Sequence, residues 1–122
     1  MRIYQCTHCG GQLLALRIPA AGPLCCGRLM EVAQPQGPGQ GDHRLLASRG
    51  KGAVYVWAGQ EAHPMEPEHH LRWIALERGR EAQIHWLSRT EGPGAIFRLE
   101  RAEAPFSIYA DCSLHGLWKA AF

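Results

Sequence analysis

His63-Pro64-Met65-Glu66-Pro67-Glu68-His69 and Cys112-Ser113-Leu114-His115-Gly116 are the segments of this chain whose residue types can do chemistry. Together they bring three imidazoles and one thiol, and His43 lies in a loop-like stretch upstream. Four neutral nitrogen donors and one soft thiolate suit a redox iron better than zinc, which as a rule stops at four ligands. The two prolines of the first segment oppose a regular helix, and the spacing from His63 to His69 does not align them on one helical face. The histidines are therefore expected on a loop, whose rigid prolines reduce the entropy lost in fixing ligands. Cys112-x2-His115-Gly116 sets a thiolate and an imidazole on one tight turn. Any single histidine is more often a hydrogen-bonded or surface residue than a ligand. The reading rests on two compact segments that each pair potential ligands. His70 and His85 are read as bystanders. Trp57, Trp73, Trp86 and Trp118 are read as core and site-lining residues.

A second cluster lies near the N-terminus. Cys6-Thr7-His8-Cys9-Gly10-Gly11 is a Cys-x2-Cys knuckle whose glycines let backbone N–H groups turn toward the thiolates. Cys25-Cys26-Gly27 follows. Four thiolates make a tetrahedral sulfur site suited to zinc or a single iron, and the spacing leaves open a structural clip or an electron relay. Adjacent cysteines cannot both take relaxed knuckle positions, so a distorted tetrahedron is expected. A segment of about 34 residues cannot fold on its own apolar core, so a metal is needed there in either case. His8 is expected to be exposed and unligated.

These ligands need a scaffold. The chain has 122 residues, of which 46% are hydrophobic and 20% charged, enough for one ordinary globular domain and a small appendage. Residues 1–34 carry the first four cysteines, 35–41 form a Pro/Gly linker, and 42–122 carry the histidine segments. Ala53–Trp57, Leu71–Leu76, Gln83–Leu87, Ala95–Leu99 and Phe106–Ala110 read as short strands separated by turn residues. A helix over 71–78 is the main local alternative. Regular strand spacing predicts an all-β architecture, a small metal-stapled β domain followed by a β-sandwich.

The net charge of +2 and thirteen scattered basic residues give no support to nucleic-acid binding. No apolar run approaches the roughly 20 residues that span a bilayer. The first residues lack the apolar stretch of a secretory signal, so a cytoplasmic protein is expected. In a reducing compartment, five cysteines serve better as ligands than as disulfides.

Cys6-x2-Cys9-x15-Cys25-Cys26 is similar to the desulforedoxin-type iron site. His63-Pro-Met-Glu-Pro-Glu-His69 with Leu71-Arg72-Trp73-Ile74, and Cys112-Ser-Leu-His115-Gly-Leu-Trp-Lys119, resemble the catalytic centre of the desulfoferrodoxin family, the two-iron superoxide reductases. The resemblance covers nearly the whole chain and promotes His43, which lies twenty residues before His63, to the first histidine ligand. It implies an immunoglobulin-like sandwich, a homodimer, and a catalytic iron held by His43, His63, His69 and His115 with Cys112 as axial ligand. It also implies iron or zinc on Cys6, Cys9, Cys25 and Cys26, superoxide as substrate, and reduced rubredoxin or a similar donor. Backbone N–H groups around Cys112, such as those of Leu114 and His115, would tune the thiolate. The family usually places Glu-Lys before the first histidine; this chain has Gly41-Asp42. An acid there repels an anionic substrate, so Arg44 or Lys51 is a candidate substitute and Asp42 a candidate cap for the ferric iron. The alternative reading is a non-enzymatic electron-transfer or redox-sensing protein of the same fold. A zinc-ribbon binding module would leave Cys112 and the histidine loop without a role.

Overall fold

Short runs of β-branched and aromatic residues between glycine and proline turns favour strands throughout. The computed structural model describes residues 1–101 and 103–122, and among these it has no α-helix, only a 3-10 turn at Gly41–His43. The all-β expectation holds, and the ambiguous stretch at 71–78 is a strand. The chain divides into two compact units, Met1–Gln34 and Pro35–Phe122.

The first unit contains β1 (Ile3–Gln5), β2 (Gln12–Leu14), β3 (Leu24–Cys25), β4 (Arg28–Leu29) and β5 (Glu31–Val32). Strands β2, β1 and β5 form one antiparallel sheet in that order, and β3 and β4 form a hairpin. Its buried cluster is small, Tyr4, Cys6 and Met30 with Ala15, Cys25 and Val32 packed beside it, and Ile3 is buried as well. Leu16, by contrast, is 94% exposed.

The second unit contains β6 (Leu45–Gly50), β7 (Ala53–Ala58), β8 (Leu71–Arg78), β9 (Glu81–Trp86), β10 (Gly94–Arg98), β11 (Ser107–Cys112) and β12 (Gly116–Ala121). They form two antiparallel sheets, β10-β7-β6 and β12-β11-β8-β9. Alternation places Val54, Val56, Ala58, Ala95 and Phe97 of one sheet, and Ile74, Leu76, Ile108 and Ala110 of the other, in one shared core. Each large aliphatic side chain buried there contributes roughly 1.5–3 kcal/mol. Cys112 belongs to that core. Strand β11 runs two residues further than its apolar pattern suggests, so Cys112 is its last residue rather than part of the following turn. Strands β6 and β12 were not expected, because Ser48, Arg49 and Gly50 in one and Gly116 and Lys119 in the other obscure the alternation.

The Pro/Gly run lies along the edge of β12. The Gln36 N–H donates to the Leu117 carbonyl at 2.8 Å, and the Lys119 N–H donates to the Gln36 carbonyl at 2.7 Å. This covers part of an otherwise open strand edge. A Cβ on Gly39 would lie 1.8 Å from the His43 carbonyl oxygen, so only glycine lets the run pass so close to the turn that carries His43.

Candidate metal centres

Four imidazoles close a ring in the order His43, His63, His69, His115. Neighbouring ring centroids are 5.1, 4.7, 5.0 and 4.8 Å apart, and the diagonal from His43 to His69 is 6.2 Å. Adjacent rings are tilted by 67° to 84°, each nearly edge-on to the next. The ligand atoms of His43, His69, Cys112 and His115 all lie within 4.8 Å of one another, and His63 completes the ring between His43 and His69. The Cys112 thiol is fully buried in the sandwich core, while His43 and His69 are half-buried and His115 is exposed. The ring therefore has a protein side, where the sulfur sits, and a side open to solvent.

Each histidine is placed by a different local device. His43 ends the 3-10 turn, where its N–H donates to the Gln40 carbonyl at 3.0 Å, and its ring stacks on Trp118 at 4.5 Å. The His63 N–H donates to the Ala58 carbonyl at 2.9 Å, folding the chain back after β7. Gly59 makes this possible at φ +91°, and a Cβ there would lie 2.5 Å from the Glu61 carbonyl oxygen and 2.7 Å from the His63 nitrogen. Gly59→Ala is expected to cost about 2 kcal/mol, lowering the thermal midpoint of the second unit by roughly 10 °C in a melting experiment. An unchanged midpoint would show that the turn accommodates a side chain. Glu66 and His69 exchange backbone hydrogen bonds of 2.9 and 3.2 Å around Pro67-Glu68, a two-residue reversal that delivers His69 to the start of β8. His115 is held from behind: Gln36 Nε2 donates to its carbonyl at 2.6 Å.

The residues fit a metal. His63 Nδ1 donates to the Pro64 carbonyl at 2.7 Å, which leaves Nε2 as the free lone pair. Nε2 of His63 and Nε2 of His69 are buried without a hydrogen-bond partner, a cost of about 1–3 kcal/mol each that coordination would remove. His115 Nδ1 lies 3.2 Å from His43 Nε2 and 3.7 Å from Cys112 Sγ. The first distance matches the separation of neighbouring ligands on one ion with metal–nitrogen bonds of about 2.1 Å. Burial, then the neighbouring imidazoles, pushes His43 down to about 4, and burial likewise lowers His63. Imidazoles that stay neutral keep their lone pairs for a metal. The Asp42 carboxylate acts in the opposite direction on both, which places its charge near the ring.

Cys6, Cys9, Cys25 and Cys26 converge in the first unit, with all four sulfurs within 4.8 Å of one another. The Cys9–Cys25 and Cys25–Cys26 sulfur separations are 3.6 and 3.9 Å, close to the ~3.8 Å edge of a tetrahedron with metal–sulfur bonds of about 2.3 Å. The adjacent cysteines also mark the backbone: Cys26 takes φ +52°, the left-handed region that non-glycine residues avoid. The Gly11 N–H points at Cys9 Sγ at 3.4 Å, as the knuckle glycines suggested. Backbone N–H groups of Cys9 and His8 pull the Cys6 thiol down to about 6, whereas the neighbouring thiols of Cys9, Cys6 and Cys26 push Cys25 up to about 12. Four crowded thiols need a cation before all can ionise. With so small a core, stripping the metal is expected to leave the β1 amides almost unprotected against hydrogen exchange while those of β8 and β11 stay protected. Retained protection in β1 would show that the unit folds without metal.

Among the other residues singled out, Asp42 and Arg44 are exposed and flank His43. Lys51 lies in the turn after β6, about 20 Å along the strand from His43. His8 is exposed, and His85 Nε2 lies 3.7 Å from Glu91 Oε2. His70 is turned away from the ring, with Nδ1 donating to the Glu66 carbonyl at 2.9 Å. Gln36 and the ion pair of Arg72 with Asp111 escaped the sequence reading. A buried acid directly before Cys112, in an otherwise apolar strand, was the available signal for the latter.

The family model for desulfoferrodoxin matches residues 46–121. A desulfoferrodoxin homolog of Methanothermobacter thermautotrophicus is 33% identical over 120 residues, covering 96% of this chain and 95% of the relative. The desulfoferrodoxin of Nitratidesulfovibrio vulgaris is 31% identical over 121 residues, covering 97% and 94%. Among solved structures, the superoxide reductase from Treponema pallidum shares the fold, with a TM-score of 0.78 at 23% identity over 98% of this chain and 95% of that one. The superoxide reductase from Nanoarchaeum equitans aligns with a TM-score of 0.60 at 25% identity, over 73% of this chain and 98% of that one. With one relative a third identical along nearly its full length, and the family model spanning β6 to β12, this chain belongs to the desulfoferrodoxin family.

Proposed function

We propose that this protein is a superoxide reductase: superoxide takes up one electron and two protons and leaves as hydrogen peroxide, with no oxygen formed. The observation that carries the reading is the ring of four imidazoles over one buried thiol, five donors with a single solvent-facing side. The likeness to the superoxide reductase from Nanoarchaeum equitans supports the same activity. Iron held by these donors would supply the electron and a coordination position open to a small anion.

His43, His63, His69 and His115 would hold the metal through nitrogen, and Cys112 through sulfur. Burial disfavours the charged form of His43 and His63, and the Cys112 thiolate would be the one anionic donor, raising electron density at a metal held there. Its burial keeps it from oxidants and from water, leaving the imidazole side as the route for superoxide. That side opens on solvent beside His115, so water can deliver both protons. Cys6, Cys9, Cys25 and Cys26 would hold a second iron or a zinc. All five cysteines are free thiols, which suits a cytoplasmic protein. Reduced rubredoxin or a similar small donor would restore the electron, and a homodimer is the proposed assembly. No helix of the described residues is long and apolar enough to cross a membrane.

A second reading, an electron-transfer or redox-sensing protein without efficient turnover, is favoured by Asp42, whose negative charge acts on His43 and His63. Rapid mixing of the reduced, iron-loaded protein with superoxide separates the two. If the protein is the enzyme, each superoxide oxidises one catalytic iron, and the thiolate-to-iron colour rises as superoxide disappears. Superoxide decay no faster than in buffer would favour the second reading.

A further inference from the structure

Strands β8 and β11 keep regular antiparallel register from Ser107 opposite Glu77 to Asp111 opposite Trp73, and then the pairing jumps to Cys112 opposite Leu71. Arg72 is passed over. It is the extra residue of a β-bulge lying against the Asp111–Cys112 peptide. On its other edge β8 stays regular, and the Leu87 N–H donates to the Arg72 carbonyl at 2.9 Å.

The bulge changes which side chains face the core. Ile74 and Leu76 belong to the inter-sheet core, and so does Leu71, an odd number of residues away. The period of two is therefore broken at Arg72, and the new phase runs back from Leu71 to His69. Without that break His70 would occupy the side that His69 now takes. Beyond the bulge the strands are clamped again: the Ser113 N–H donates to the His70 carbonyl at 2.8 Å, and the His70 N–H donates to Ser113 Oγ at 3.0 Å. His69 and Cys112 thus enter the site from the two strands that this irregularity aligns.

The bulged residue is tied to the residue before the cysteine. Arg72 Nε donates to Asp111 Oδ2 at 2.6 Å; the Asp111 side chain is 0% exposed and that of Arg72 35%. A slip of β8 by one residue would carry Arg72 away and break an ion pair whose carboxylate is fully buried, which is unfavourable. We propose that the Arg72–Asp111 pair is a positioning device: it locks the bulge that turns His69, and not His70, into the imidazole ring and seats Cys112 beneath it. The proposal rests on the reading of these five donors as one metal site. Neither residue touches the reacting atoms.

Cobalt(II) is the probe, because its ligand-field and thiolate-to-metal bands report donor geometry without turnover. The full chain is titrated with cobalt, and a Cys112→Ser protein serves as the blank for the four-cysteine site. Arg72→Met with Asp111→Leu removes both charges together, which preserves stability better than removing one. At temperatures well below its melting transition, this double variant is expected to bind cobalt at the histidine–cysteine site at least about tenfold more weakly and with shifted ligand-field bands. Arg72→Lys, which keeps the ion pair, restores most of the parent spectrum. A folded double variant with parent affinity and parent bands would overturn the proposal, since the pair would then serve stability alone. Should the double variant fail to fold, Asp111→Asn keeps the size of the side chain and removes its charge. A parent spectrum from that variant is equally fatal, and a shifted one supports the device. If the parent protein itself shows no cobalt bands beyond the blank, the metal-site reading fails first, and the proposal with it.

Discussion

Cys112→Ser will abolish the thiolate-to-iron colour of the second unit and slow superoxide reduction by at least about 100-fold. The sulfur is the one soft donor among five, and it sits at the end of β11, fully buried in the sandwich core. A serine hydroxyl has a far higher pKa than a thiol and does not ionise there, so the site keeps its imidazoles and loses its anionic ligand. The four-cysteine site lies in the other compact unit and is an internal control, its spectrum unchanged. Melting of the substituted protein should fall by several degrees, because the serine hydroxyl is buried in the apolar core. Persistence of the colour would mean that it arises from another thiolate, and the donor set assigned to the second unit would be wrong.

Asp42→Lys will accelerate the reaction with superoxide by about tenfold at low ionic strength, and the gain will shrink as salt is added. Asp42 is exposed next to His43, and its negative charge raises the proton affinity of both His43 and His63, so it lies within electrostatic reach of the open side of the ring. Two charges about 4 Å apart in water interact by about 1 kcal/mol. Replacing an acid by a cation changes the sign as well as the size of that interaction. Salt shortens the screening length to about 8 Å at physiological strength, so a gain that survives high salt is not electrostatic steering. The second-order rate constant across a salt series checks this. An unchanged rate would place the route of superoxide away from Asp42.

Much of this site was readable because its ligands come in compact segments. Two prolines fix a loop between His63 and His69, and Cys112 and His115 lie three residues apart, although Cys112 closes β11 and only His115 stands in the turn that follows. His43 was different. Nothing local marks it, and only family resemblance promoted it; in the structure it is set by a 3-10 turn, the close passage of Gly39 and a stack on Trp118. Strand β6 escaped notice because polar and glycine residues fill its second half, and its pairing with β7 overrides that weak local preference. The choice between His69 and His70 is decided by the bulge at Arg72, a property of two strands together. The strain of adjacent cysteines was anticipated, and the left-handed Cys26 backbone carries it.

The central claim is that these five donors run a one-way reduction. The direct measurement is to give the reduced, iron-loaded protein a known dose of superoxide and to record hydrogen peroxide and oxygen together. The account predicts one peroxide for each superoxide consumed, oxidation of an equal amount of iron, and no oxygen above the spontaneous background. Oxygen evolved at half the superoxide consumed, with the iron returned to its starting state, would be dismutation and would contradict it.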